Sequence, residues 1–177
     1  MKIILDLCGG TGSWSKPYKE AGYDVRNITL PEYDVRTYIP PDNVYGILAA
    51  PPCTHLSSSG ARWFKDKGIQ ALLEALSVVD ACLRIIWRCS PVFWALENPV
   101  GRLSKYLGKP LMYFHPYYGD PWTKKSCLWG NFKIPERNPV IPNKKSKIHY
   151  MPPSPERGIL RSITPQGFSL AFFEANQ

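Results

Sequence analysis

Cys53 follows two prolines, in Ala50-Pro51-Pro52-Cys53, and a thiol on so stiff a segment can be aimed as a nucleophile once a base or a lowered pKa supplies its thiolate. Glu97 opens a second segment, Glu97-Asn98-Pro99. A carboxyl group there would serve as a proton donor near neutral pH if burial raised its pKa. A third segment, Asp6-Leu7-Cys8-Gly9-Gly10-Thr11-Gly12, follows an apolar run, so its glycines can bring backbone against a ligand while the helix behind offers free N–H groups. Each segment by itself also has a plainer reading: Cys53 as a small buried hydrophobe, Glu97 as the cap of a helix starting near Gly101, and the glycines as a structural turn.

These residues need elements to hold them. Lys2 to Leu7 and Val25 to Ile28 read as strands around a short helix, Ser15 to Ala21, with Pro17 in its first turn. Val44 to Ala50 is a third strand, ended by a proline pair that can neither donate to a ladder nor start a helix behind itself. Ile69 to Arg88 carries Ile69, Leu72, Leu73, Leu76, Val79, Leu83, Ile86 and Trp87 at helical spacing, and Val92 to Leu96 makes a fourth strand. Tyr113 to Tyr118 and Ser126 to Trp129 are later strands, and Thr164 to Ala175 a closing helix. Such alternation predicts an α/β fold with a mostly parallel sheet and helices on both faces. All three segments then lie where strands end, the edge at which open α/β sheets bind ligands. Trp14, Trp63 and Trp122 read as core rather than as stacking platforms.

The chain has 177 residues, 44% of them apolar, which suits one domain with one core over 1–177. Its 22 Lys and Arg against 14 acids leave a formal charge of +8, which favours polyanionic partners such as nucleic acid or nucleotides. Seven of those cations (Lys133, Arg137, Lys144, Lys145, Lys147, Arg157 and Arg161) fall between Lys133 and Arg161, a proline-punctuated stretch without periodicity that reads as a basic loop. Five cysteines, scattered without metal-ligand spacing and not preceded by a signal-peptide pattern, predict reduced thiols in a cytoplasmic protein that holds no metal. The apolar runs are too short to span a bilayer.

The order and intervals of the three segments resemble the cytosine-5 DNA methyltransferase family. Asp6 to Gly12 is similar to that family's S-adenosylmethionine loop, Pro51-Pro52-Cys53 to its nucleophile motif and Glu97-Asn98 to its glutamate-asparagine pair. Leu128-Trp129-Gly130-Asn131 and the closing helix are similar to later segments. The resemblance implies a Rossmann-like methyltransferase fold, S-adenosylmethionine as cofactor and DNA as partner. It implies a cofactor site of Asp6, Leu7, Cys8, Gly9, Gly10, Thr11, Gly12, Asp34 and Pro51, and a catalytic set of Cys53, Glu97 and Asn98, with Asn98 fixing the loop geometry. The implied reaction begins with Cys53 thiolate adding to carbon 6 of cytosine while Glu97 protonates ring nitrogen 3, which makes carbon 5 nucleophilic. In duplex DNA the target base must first leave the stack.

The chain also departs from the family. Cys8 stands where an aromatic residue is usual, and Asn27, Thr29 and Glu32 lie near the place of the acid that grips the ribose. Lys124-Lys125-Ser126 is the nearest counterpart of an arginine-rich motif, and a lysine pair cannot copy a guanidinium fork. Only the basic loop at 133–161 occupies the interval where full members insert a target-recognition domain. Sequence preference is therefore expected to be short or absent, and the substrate single-stranded or locally opened DNA, with Lys124, Lys125, Lys144, Lys145 and Lys147 on its phosphates. Three alternatives stand beside this: modification of a free pyrimidine nucleotide, transfer of another group from a related sulfonium donor, and an inactive DNA-binding remnant.

Overall fold

The computed structural model of the chain describes residues 1–114, 118–120, 125–140 and 151–177. In chain order the elements are β1 (Ile3–Leu7), α1 (Lys16–Glu20), β2 (Asp24–Ile28), β3 (Val44–Ala49), a 3-10 turn (Ser58–Trp63), α2 (Phe64–Cys89), β4 (Phe93–Pro99), α3 (Ser104–Leu107), β5 (Met112–Phe114), β6 (Ser126–Asn131), α4 (Arg157–Ser162) and α5 (Gln166–Ala175). They form an α/β fold around one six-stranded sheet of order β2-β1-β3-β4-β6-β5. The first four strands are parallel, and β6 runs antiparallel to both of its neighbours. From β1 the chain steps outward to β2, then returns past β1 to β3. The C-terminal ends of β1 and β3 therefore flank the point where strand order reverses, the position at which such sheets form a ligand crevice.

Side chains alternate between two cores, because successive residues of a strand point to opposite faces. Leu5, Leu7, Ile47, Ala49, Leu96, Cys127 and Trp129 face α2. Ile4, Leu48, Phe93, Ala95 and Leu128 face α1 and α5, with Trp14, Tyr18, Phe168 and Phe172 filling that side. Helix α2 seats Leu72, Ala75, Val79, Cys82 and Ile86 on the sheet, a stripe repeating every three to four residues. Each large aliphatic side chain so buried stabilises the fold by about 1.5–3 kcal/mol. Helix α5 is fixed by its phenylalanines, with the Phe172 ring 5.4 Å from that of Trp14. Its first turn is capped by Asp120, whose carboxylate accepts from the N–H groups of Gly167 and Phe168, both at 3.3 Å.

Several expectations need correction. The long helix begins before Ile69, at Phe64, with a break at Gly68 (φ 72°). Ile69, Leu73 and Trp87 point to solvent at 61%, 50% and 73% exposure, because a helix covering one sheet face needs only the narrower stripe above. Trp14 is core, Trp63 is half exposed on the 3-10 turn, and Trp122 lies outside the described residues. The strand expected over Tyr113 to Tyr118 is Met112–Phe114, with residues 115–117 outside the described set. The basic stretch is not loop throughout, since α4 forms at its end. Among the described residues, no helix is long and apolar enough to cross a membrane.

Candidate functional site

The segment after β1 turns tightly around Asp6. This carboxylate is fully buried, its Oδ2 accepts from the Ser15 hydroxyl at 2.5 Å, and its Oδ1 has no partner. Burial pushes its pKa up from 3.8 to about 6, against the opposing hydrogen bond from Ser15. Gly9 lies so close that a Cβ there would overlap the Asp6 carboxylate, so the residue at this turn has to be glycine. Leu7 is buried as the last residue of β1, and its carbonyl accepts from the Ala50 N–H at 2.9 Å, which joins the two strand ends across the crevice. Gly10 and Thr11 are exposed, Gly12 is half-buried, and the Gly12 N–H closes the turn on the Gly9 carbonyl at 2.9 Å.

Asn27 lies in register with Asp6 on the neighbouring strand, and its amide donates to the Gly10 carbonyl at 2.9 Å. Its Oδ1 is buried without a partner. The residue standing near the expected ribose acid is thus committed to tethering the glycine loop. Cys8 has a left-handed backbone (φ 57°), and its thiol interacts with that of Cys82 of α2. That contact holds the Cys8 thiol below its ordinary pKa and, with burial, pushes Cys82 well up. Asp34 is gripped by Arg36, with Nη2 2.6 Å from Oδ2, and the Arg36 side-chain and backbone donors hold its carboxyl below the usual range.

The other half of the site is built where β3 and β4 end side by side. Ala49 pairs with Leu96, so the proline segment and Glu97 leave the sheet at the same edge. Asn98 is fully buried, and its Nδ2 donates to the Pro51 carbonyl at 2.9 Å. Two further bonds stitch these exits together: Ser58 N–H to the Val100 carbonyl at 2.9 Å and Arg102 N–H to the Leu56 carbonyl at 2.8 Å. Gly101 makes that approach possible, since a Cβ there would overlap the Leu56 carbonyl. The Cys53 carbonyl accepts from Leu56 and Ser57 N–H at 3.0 and 2.9 Å, which curls the loop beyond the prolines into a turn. Cys53 itself is half-buried and belongs to neither core.

Glu97 caps no helix: the N-terminus of α3 has no side-chain cap, and Glu97 Oε1 is buried without a partner. Across the sheet Glu97 pairs with Leu128 and Asn98 with Cys127, whose thiol is pushed up to about 11, chiefly by burial. Asn98 Oδ1, Ser126 Oγ and His55 Nδ1 are also buried and unpartnered at this edge or on its loop. A buried polar atom left unpaired is costly, so their concentration here marks a place that a polar ligand or water completes.

Sequence reasoning had named Cys53, Glu97, Asn98 and the glycine segment, and the fold brings all of them to the C-terminal edge of the sheet. Asp34 lies beyond the neighbouring β2, and Lys125 stands just before β6 with its Nζ 5.3 Å from the Tyr113 ring centre. Lys124, Lys144, Lys145 and Lys147 lie outside the described residues. Ser15 was missed; its position at the helix start was the available signal, but its hydroxyl turns to Asp6 instead of capping.

No family model matches the chain. It is similar to the type II methyltransferase M.DdeI of Desulfomicrobium norvegicum, with 29% identity over 125 residues, covering 57% of this chain and 28% of that protein. The chain thus spans little more than a quarter of that curated relative. Among solved structures it is similar to a prophage-encoded E. coli protein described as a DNA modification methyltransferase, at 17% identity and a TM-score of 0.48, covering 86% of this chain and 56% of that one.

Proposed function

We propose that this chain is a DNA methyltransferase that moves a methyl group from S-adenosylmethionine to carbon 5 of cytosine through a covalent bond to Cys53. The observation that carries the reading is the Asn98 amide bonded to the Pro51 carbonyl at 2.9 Å. It ties the loop of Cys53, which among the described residues lies outside both cores, to the strand that bears Glu97. The similarity to M.DdeI, a type II methyltransferase, supports the same reading.

The crevice between β1 and β3 suits the cofactor. Asp6 Oδ1 and Asn27 Oδ1 are adjacent buried acceptors without donors, as a cationic ligand rich in N–H and O–H groups requires. Bound there, S-adenosylmethionine would supply an electrophilic methyl group carried on a sulfonium. The glycine segment, Asp34 and Pro51 would hold it, with Asp6 providing negative charge beneath it.

Cys53 adds as thiolate to carbon 6 of the extruded base while Glu97 gives its proton to ring nitrogen 3. Charge therefore does not accumulate on the ring, and carbon 5 becomes nucleophilic. After methylation the carbon-5 proton leaves to a base, the bond between sulfur and carbon 6 breaks, and Glu97 recovers its proton. Asn98 keeps the proline loop at a fixed height over the sheet edge, so that sulfur and carboxyl meet one ring. Lys124, Lys125, Lys144, Lys145 and Lys147 would hold phosphates.

A second reading, modification of a free pyrimidine nucleotide by the same residues, is favoured by the short interval from Asn131 to Arg157, too few residues for an independent recognition domain. Incubation with labelled S-adenosylmethionine and either DNA or cytidine nucleotides separates the two. Label in DNA supports the first reading, label in nucleotides alone the second, and label in neither refutes both.

A further inference from the structure

Helix α4 is inverted relative to an ordinary surface helix. Its half-buried residues are Arg157 and Arg161, whereas Ile159 and Leu160 look outward at 58% and 46% exposure. The two arginines are four residues apart, so they share one side of the helix, and that side is turned to the body of the protein. The Nε atom of Arg157 is buried and has no hydrogen-bond partner. Among the described residues, ion pairs join Lys16 to Glu20, Arg26 to Asp24 and Arg36 to Asp34, and neither arginine of α4 takes part in one. A guanidinium N–H buried without an acceptor is a cost that the fold would ordinarily avoid by pointing it outward.

The placement of α4 indicates what would complete the pair. Its last residue lies against the glycine loop, with Ser162 Oγ 3.9 Å from where a Cβ on Gly10 would stand. Two residues on, the Thr164 N–H donates to the Ser13 hydroxyl at 2.9 Å. Both anchors are on the segment that turns around Asp6. The C-terminal end of α4, one residue beyond Arg161, is therefore fastened beside the glycine loop at the C-terminal edge of the sheet.

We propose that Arg157 and Arg161 form an oxyanion site beside the glycine loop, taking either a phosphodiester of the DNA strand or the carboxylate of the sulfonium donor. The choice of these two ligands rests on the methyltransferase reading. The arginine fork suits both, since each offers two coplanar oxygens to parallel N–H donors.

The test compares wild type with the Arg157→Gln, Arg161→Gln double variant in equilibrium binding of three probes: S-adenosylhomocysteine, methylthioadenosine, which lacks the carboxylate, and a labelled single-stranded oligodeoxynucleotide. A loss of about tenfold or more in affinity for S-adenosylhomocysteine, with methylthioadenosine unchanged, supports the site and assigns it to the donor's carboxylate. Weaker oligonucleotide binding, with a salt slope lower by about 0.7 for each arginine removed, supports it and assigns it to phosphate. Arg157→Lys, which keeps the charge without the fork, is expected to fall between. The ligand-free double variant should unfold no earlier than wild type, because it removes the buried, unpartnered Nε of Arg157. Equal binding of all probes by wild type and variant overturns the oxyanion site alone. Failure of wild type to bind any of them overturns the methyltransferase reading and this inference with it.

Discussion

Asp6→Asn tests the electrostatics of the glycine turn. In the folded chain burial raises the Asp6 pKa from 3.8 to about 6, so the native state holds this proton more tightly than the unfolded chain does. The contribution of Asp6 to stability is therefore most favourable below the unfolded value, is lost as pH rises from about 4 to about 6, and stays lost above that. The displacement corresponds to about 3 kcal/mol. An asparagine carries no charge at any pH, and its carbonyl can still accept from Ser15. The variant should thus gain up to about 3 kcal/mol over wild type at pH 8, which for a domain of this size is about 6–12 °C in unfolding midpoint. At pH 3.5 the gain should vanish. Urea unfolding of both proteins across pH 3.5 to 8 measures the difference, in which the other carboxylates cancel. A difference that does not change with pH would refute the burial argument. A sulfonium ligand should reverse the penalty by pairing with the ionised form, so S-adenosylmethionine is expected to raise the wild-type midpoint more at pH 8 than at pH 5.

Asn98→Ala removes the bond to the Pro51 carbonyl and leaves that carbonyl buried, so a loss of about 1–3 kcal/mol in stability is expected, together with a fall in the rate at which Cys53 is captured by substrate. Capture at the wild-type rate would show that the proline loop needs no tether. Gly101→Ala places a methyl group against the Leu56 carbonyl and should push the two strand exits apart, costing about 1–3 kcal/mol. If its urea midpoint matches wild type, the stitching of those exits is looser than the hydrogen bonds indicate.

The parts of the site that were legible in the sequence are those whose local chemistry and tertiary place agree. An apolar run into glycines at Leu7 to Gly12, and a strand stopped by Pro51-Pro52, both mark strand ends whatever lies around them. The partners were not legible. That Asn98 would bond Pro51, that Asn27 would tether Gly10, and that Asp6 would accept from Ser15 on one oxygen alone all depend on how the elements come together, and periodicity does not contain that order. Helix α4 escaped notice because its pattern is the reverse of the usual one: arginines occupy the inner side and Ile159 and Leu160 the outer. Trp63 was misplaced for a related reason, since its indole belongs by type to a core but sits on a 3-10 turn with no face of the sheet beneath it.

The thiol chemistry can be tested without turnover, on DNA carrying 5-fluorocytosine, where fluorine at carbon 5 blocks the closing elimination. With S-adenosylmethionine present, mass spectrometry of the digested complex should find a methylated fluoropyrimidine adduct on the peptide containing Cys53, and none with Cys53→Ser. An adduct on another residue, or full methyl transfer by Cys53→Ser, would contradict the account.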